Sequence, residues 1–278
     1  MAYKSLLVHV DDGTACEHRI AAAISLAQAH EAHLTGLVVA PDPVLPSHLR
    51  AEVTTGFLAV VQEQIKRRLT QGEAMFTQAV ERAGLTADCR AAHCPVMQIP
   101  DLVALNARYA DMVILGQRDP EDPSDGGPRI VEDIVMAAGR PALVVPYIGA
   151  GETLGRRAMV AWDGGREAAR AVNDAMPLLE RAESVVVLVV NPHKGDHGQE
   201  PGADIALHLA RHGIKVEAQH LEAKELSVAD ALLSRLADED IDLLVMGAYG
   251  HSRVREWALG GVTRQIFAQM TVPVLMSH

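Results

Sequence analysis

Aromatic side chains are scarce: three Phe, four Tyr and two Trp make up 3% of the 278 residues. Carbohydrate grooves and single-strand nucleic-acid platforms stack their ligands on aromatic rings, so this composition supports neither. Excess positive charge is also missing. The formal charge is −11 at pH 7, whereas neutralising a phosphate backbone needs a basic surface. No nucleic-acid partner is expected, although a local anion site is still allowed. Cysteine occurs only three times, as Cys16, Cys89 and Cys94. An odd, low count does not build a disulfide scaffold and fits a reducing compartment. No run reaches the roughly eighteen apolar residues of a membrane span. The opening run "YKSLLVHVDDG" meets Asp11 too soon for a secretory segment. A cytoplasmic protein with no membrane partner is expected. Catalytic signatures are missing as well: there is no Gly-x-Ser-x-Gly elbow, no Gly-Lys-Ser/Thr phosphate loop and no His-Glu-x-x-His pair. No residue is singled out as a catalytic group.

What the chain does have is apolar mass, 49% of residues, supplied mainly by Ala, Val and Leu. That composition suits thin helices packed on β-branched strands. It is arranged as one unit written twice. "YKSLLVHVDDG" in the first half matches "RRAMVAWDGG" in the second. "HLTGLVVAP" matches "SVVVLVVNP", "YADMVILG" matches "DIDLLVMG", and "RPALVVPY" matches "VPVLMSH". Helical stretches fall between the landmarks, at about 62–83, 98–109 and from Ile130, then at about 203–212, 228–239 and from Val262. "ADCRAAHC" and "KVEAQHL" are the remaining strands. The order is βαβαβαβαβ, twice. Strands apolar on both faces and alternating with helices imply parallel sheets covered on both sides, joined by right-handed crossovers. The expected fold is α/β: two tandem doubly wound, Rossmann-like domains, each a five-stranded mostly parallel sheet with helices on both faces. The domains are residues 1–148 and 153–278, joined by the glycine-rich "YIGAGETLGR". The proline-rich stretch from Pro41 to Gly56 is an insertion in the first half, a lid or a surface loop.

Ligands of doubly wound folds sit beyond the carboxyl ends of the strands. Asp163 and Gly247 belong at that edge. From Gly247 the chain enters "GAYGHSRVREWALGG" and then a helix beginning near Val262. Glycines let a backbone approach and turn where side chains would collide, and a helix start favours an anion. On spacing alone, a phosphate loop and a ligand-free turn are equally good readings.

The stretch "VMGAYGHSRVREWALGGVTRQIFAQMTVPVLMSH" resembles the carboxyl-terminal signature of the universal stress protein family, whose ATP-binding members carry Gly-x2-Gly-x9-Gly followed by Ser or Thr. Gly247, Gly250 and Gly260 keep that spacing. Asp163 in "VAWDGG" matches the strand-end Asp that contacts adenine in the family. Both halves share the resemblance, so the chain looks like a tandem member. The resemblance implies a cytoplasmic stress-response protein, a sensor or regulator, that binds ATP, or AMP or ADP, with or without Mg. In it Gly247, Gly250, Gly260 and Gly261 would wrap the phosphates, and Val262 and Thr263 would complete the cradle. Met246 and Val190 would flank the adenine, and His251 would lie near phosphate. Gly261 departs from the pattern, and the lost hydroxyl contact is worth roughly 0.5–1.5 kcal/mol. Two alternatives stand beside this reading: a slow ATPase or phosphotransferase using the same pocket, and a nucleotide-independent interaction module.

The first half reads as a degenerate partner. Asp119 stands where Gly250 does, and Glu121, Asp122 and Asp125 follow in "LGQRDPEDPSDGGPRIVED". Carboxylates repel phosphate. In single-domain relatives the last strand mediates dimerisation, so "PALVV" and "PVLMS" are expected to pair the two halves within one chain, with a homodimer of the whole chain still open. His193, His197, His208 and His212 could in principle hold a metal, but they read as solvated surface. Cys89, His93 and Cys94 alternate across a strand, a poor chelate. Trp162 is expected to pack in the core, and Trp257 to cap the pocket or an interface.

Overall fold

The computed structural model describes residues 2–43, 55–122, 130–151, 153–192, 200–223, 225–249 and 261–278. Gly250, His251, Trp257, Gly260, His193, His197, Asp125 and residues 44–54 of the insertion lie outside the described residues. The first half runs β1 (Ser5–Val10), α1 (Cys16–His30), β2 (His33–Pro41), α2 (Thr55–Arg82) and β3 (Ala87–Cys94), then a 3-10 turn (Val96–Gln98), α3 (Ile99–Ala107), β4 (Met112–Gly116), α4 (Ile130–Ala138) and β5 (Ala142–Val145). The second runs β6 (Arg157–Ala161), α5 (Arg166–Leu179), β7 (Ser184–Val190), α6 (Ala203–Arg211), β8 (Val216–Leu221), α7 (Val228–Asp238), β9 (Leu243–Gly247), α8 (Val262–Gln269) and β10 (Val274–Ser277).

The strands form one ten-stranded sheet in the order β3-β2-β1-β4-β5-β10-β9-β6-β7-β8. Each half is a five-stranded parallel sheet, and the two meet where β5 and β10 pair antiparallel. Helices cover both faces. One core contains side chains of α1, α2, α5 and α6, and the other contains those of α3, α4, α7 and α8. The edge strands differ from the rest: β3 and β8 are largely exposed, where the inner strands are buried. Helix α2 begins at Thr55, well before the expected 62. Its first turns carry Phe57, Leu58 and Val60 exposed, so the apolar periodicity that marks a helix in sequence starts only later.

The repeat extends to individual hydrogen bonds. Asp111 Oδ2 accepts from the N–H groups of Lys4 and Ser5 at 2.7 and 3.0 Å. Asp242 does the same for Arg156 and Arg157 at 3.1 and 2.8 Å. In both halves an Asp preceding the fourth strand therefore anchors the start of the first.

At the junction Ala142, Leu143 and Val144 face Met276, Leu275 and Val274, all fully buried. Tyr3 Oη donates to the carbonyl of Asp174 at 2.7 Å, and Ser277 Oγ donates to Asp174 Oδ2 at 2.8 Å. Arg170 donates to the carbonyls of His278 and Gly139 at 2.7 and 2.8 Å. Gln117, 5% exposed, donates to the Phe267 carbonyl at 2.9 Å while its Oε1 accepts from the Tyr147 N–H at 3.1 Å. A leucine would leave both backbone groups unsatisfied. Gln117→Leu is expected to lower the unfolding free energy by about 1–3 kcal/mol, measured by urea denaturation.

Candidate functional site

Because β5 and β10 run antiparallel, the carboxyl ends of the strands in the two halves open on opposite edges of the sheet. In the second half that edge begins with Asp163. Its Oδ1 accepts from the Gly165 N–H at 2.8 Å, a tight turn that leaves the carboxylate exposed just before α5. Trp162 packs partly buried on the α5 side of the sheet. On the other side, Met246 lies in the apolar core that runs along that whole face of the sheet, and Val190, Tyr249 and Val262 pack against the same core. Met246 is 6% exposed, so it serves as a wall and as core at once. The strand registers place Asp163, Val190 and Met246 at one carboxyl edge, and Val262 opens α8.

Gly247 has a packing role that spacing does not reveal. A Cβ there would lie 2.5 Å from the Ala168 nitrogen and 2.7 Å from the Glu167 carbonyl carbon. The glycine is required for α5 to approach β9. Gly261 precedes α8 with φ −50° and ψ 152°, and its carbonyl accepts from the Arg264 and Gln265 N–H groups. Any L-residue can adopt that backbone, so the missing Ser or Thr is a chemical change and not a conformational one. Thr263 is 2% exposed, so its hydroxyl is placed in the interior and not in an open cradle. Only its backbone stands at the helix start, among the N–H groups that have no intrahelical partner.

Sequence reasoning missed Glu167. It is 6% exposed, lies against Gly247, and is paired with Arg166 at 2.6 Å. Burial would raise its pKa, but the Arg166 hydrogen bond and charge outweigh that and hold it below the ordinary value. The arrangement therefore keeps a carboxylate charged beneath the strand-end turn. Nothing in a run such as "GGREAAR" distinguishes this Glu from a surface residue.

The first half contains a cavity of about 110 Å³ at the corresponding edge. Val39, Leu115 and Ile130 line it. They occupy the positions that Val190, Met246 and Val262 hold in the second half, as the strand registers and helix starts show. Asp11 repeats the turn, its Oδ1 accepting from Gly13 N–H at 3.0 Å. Here, however, an arginine enters. Arg19 stands eight residues after Asp11, where the second half has the fully buried Ala171. Its Nη2 lies 2.8 Å from Asp11 Oδ1, close enough for an ion pair but not aligned as a hydrogen bond. Arg19 also fills the space in front of Gly116, the counterpart of Gly247.

These charges set the titration of the site. Burial would raise the Asp11 pKa, but the charge of Arg19, helped by His9, holds it below the ordinary value. Burial pushes His9 down to about 4 against the opposing pull of Asp11, so the ring is neutral at pH 7. Burial raises the Cys16 thiol. A neutral thiol and a weakly basic imidazole do not make an activated nucleophile. Elsewhere, the His208 and His212 rings meet edge-on at 4.9 Å, and His93 pairs with Asp42 at 2.7 Å.

Residues 155–278 match the model of the Universal stress protein family. The second half of the chain is a domain of that family. A relative, the universal stress protein Slr1230 of Synechocystis sp., is 26% identical over 234 residues, covering 82% of this chain and 74% of that one. The crystal structure of a universal stress protein from Archaeoglobus fulgidus superposes with a TM-score of 0.74 at 15% identity, over 98% of this chain and 95% of that one. A protein of unknown function from Pseudomonas aeruginosa, PA1789, superposes with a TM-score of 0.60 at 14% identity, over 99% and 92%. At such identities the two structures establish a shared fold along nearly the whole chain. Among the described residues, no helix is long and apolar enough to cross a membrane.

The buried His9 has a measurable consequence. An unfolded histidine titrates near 6.5, so below that pH the unfolded chain gains a proton that the folded chain refuses. Stability is expected to fall between about pH 7 and pH 4, with His9 contributing roughly 3 kcal/mol of that loss. The lowered Asp11 pKa acts in a separate window: its contribution is present above the unfolded carboxylate pKa and disappears only as pH drops through the folded value. Urea unfolding at a series of pH values is expected to show the upper-window slope in the wild type and a shallower one in His9→Gln.

Proposed function

We propose that this chain binds ATP, or another adenine nucleotide such as AMP or ADP, at the carboxyl edge of its second half, and acts as a sensor or regulator in a cytoplasmic stress response. The observation that carries this reading is that the strand registers set Val190 and Met246 at the carboxyl edge where Asp163 stands, with α8 opening at Val262. In this reading these apolar side chains hold the adenine and Asp163 its polar edge. The backbone of Gly261, Val262 and Thr263 meets the phosphates through the helix start, where N–H groups and dipole favour an anion. Gly247, Gly250 and Gly260 let the loop close around them, and His251 sits beside a phosphate oxygen. Mg²⁺ fits as the companion of a bound triphosphate, because it keeps most of its waters and needs few protein ligands.

The division into domains at 1–148 and 153–278 follows the same reading, with the antiparallel pairing of β5 and β10 doing within one chain what dimerisation does for single-domain members. No residue is assigned a catalytic role in this reading. Calorimetric titration of ATP into the full chain tests the site. Gly250→Asp is expected to abolish binding by placing a carboxylate against phosphate, and Asp163→Ala to weaken it by about tenfold through the loss of one charge-assisted hydrogen bond. Unchanged affinity in the Gly250→Asp variant would sink the assignment.

A further inference from the structure

The two halves meet about a local two-fold axis, because β5 and β10 pair antiparallel in a register that sets Leu143 opposite its own counterpart, Leu275. The helices before these strands correspond in the same way. Helix α4 opens at Ile130, twelve residues before β5 begins at Ala142, and α8 opens at Val262, twelve residues before β10 begins at Val274. Close to such an axis a position meets itself, and in a pair of identical halves the two residues there would be the same. Here they differ. The third residue of α4 is Glu132 and the third residue of α8 is Arg264. Their side chains face one another, with Arg264 Nε 3.9 Å from Glu132 Oε1.

Other polar contacts across the junction also join unlike partners. Gln117 of the first half donates to the Phe267 carbonyl of the second, and its counterpart is Ala248, whose side chain has nothing to donate. Tyr3 Oη donates to the Asp174 carbonyl, and its counterpart is Gly155. In the opposite direction Arg170 donates to the Gly139 carbonyl. The counterpart of Arg170 is His18, whose Nδ1 lies 2.9 Å from the Tyr147 carbonyl of its own half. The Glu132 side chain is 15% exposed and that of Arg264 37%, so salt and water screen this pair less than one in the open. Two glutamates or two arginines at the same place would repel. The backbone pairing of the edge strands is indifferent to which half is offered, and the side chains around it are not.

We propose that the junction is an interface selective for an unlike half, with Glu132 opposite Arg264 as the pair that decides the choice. The first half fits a partner carrying a cation at the third residue of its last helix, and the second half fits one carrying an acid there. A second copy of this chain therefore fits either surface only by offering its other half. Pairing of like halves would set Glu132 against Glu132 or Arg264 against Arg264. Charge at one place near the axis turns a geometry that could join any two halves into one that joins complementary ones.

The selectivity can be measured in the full chain, because single charge reversals reproduce the like pairings without separating the halves. Glu132→Arg sets two arginines at the axis, Arg264→Glu sets two glutamates, and the double reversal restores an unlike pair in the opposite sense. Urea unfolding of the four proteins gives their folding equilibrium constants. Each single reversal is expected to lower the constant roughly fivefold. The double reversal is expected to lower it by less than the product of the two single losses, a result that packing lost at two separate places does not produce. Arg118 lines the same cavity as Glu132, and its contribution cancels in this comparison because it is present in all four proteins. A single reversal without effect, or a double loss equal to or greater than the product, would overturn the proposal. If a reversed chain does not unfold cooperatively, Glu132→Gln and Arg264→Gln take its place. Their combined loss is expected to be smaller than the product of the single losses, and a loss equal to or greater than that product would overturn the proposal in the same way.

Discussion

The antiparallel contact of β5 with β10 is the constraint on which the rest of this structure depends. Two parallel five-stranded sheets each end in an unpaired strand, and an apolar edge of that kind is a template for association. Here the two edges satisfy one another, with Leu143 and Leu275 fully buried at the centre of the pairing. Because the contact is antiparallel, the halves are related by a local two-fold arrangement. Their strand-end crevices therefore face opposite ways. One chain thus presents two equivalent positions, free to diverge in chemistry.

The junction also gives the two positions a physical connection. Helix α8 starts at the second-half edge, with Val262 packed against the apolar core of that face. Near its other end, Phe267 lines the first-half cavity and offers its carbonyl to Gln117. Helix α4 mirrors this. Ile130 at its start lines the first cavity, and the carbonyl of Gly139 just after it accepts from Arg170, which also holds His278 in the second half. A shift of either helix along its axis would be felt at both edges, since packed interiors do not absorb displacement by compression.

Divergence between the halves comes down to a few residues on a shared frame. Both keep the Asp-turn-Gly arrangement at the end of the first strand and the same three apolar wall positions. What differs is the replacement of Ala171 by Arg19 at the equivalent place, and of the glycine-rich loop by an acidic one. The arginine supplies a buried positive charge and engages the Asp; the acids supply negative charge at the mouth. The charges at one crevice thereby differ from those at the other, and so does the packing: the Arg19 side chain fills the space before Gly116, where the α5 backbone closes on Gly247.

The repeat, the order of strands and helices and the starts of α4 at Ile130 and α8 at Val262 were all readable in the sequence. Each is marked by local signals: apolar runs, glycine and proline punctuation, and the matched Asp residues. Val190 and Met246 could be placed at strand ends, and Val262 at a helix start, because those positions follow from topology. Other features were decided only in three dimensions. At Gly247 the backbone of α5 at Glu167 and Ala168 leaves no room for a Cβ, a packing demand that its spacing does not reveal. The burial of Thr263, 2% exposed at the start of α8, is likewise set by packing. Arg19 looked like any helix arginine in "CEHRIAAA", yet packing turns it inward onto Asp11. The sequence by itself determined the element order and the edges where ligands can sit, because those follow from local periodicity. Tertiary structure alone decided which side chains meet at those edges and with what charge, because helix rotation and long-range packing are set by contacts between segments far apart in the chain.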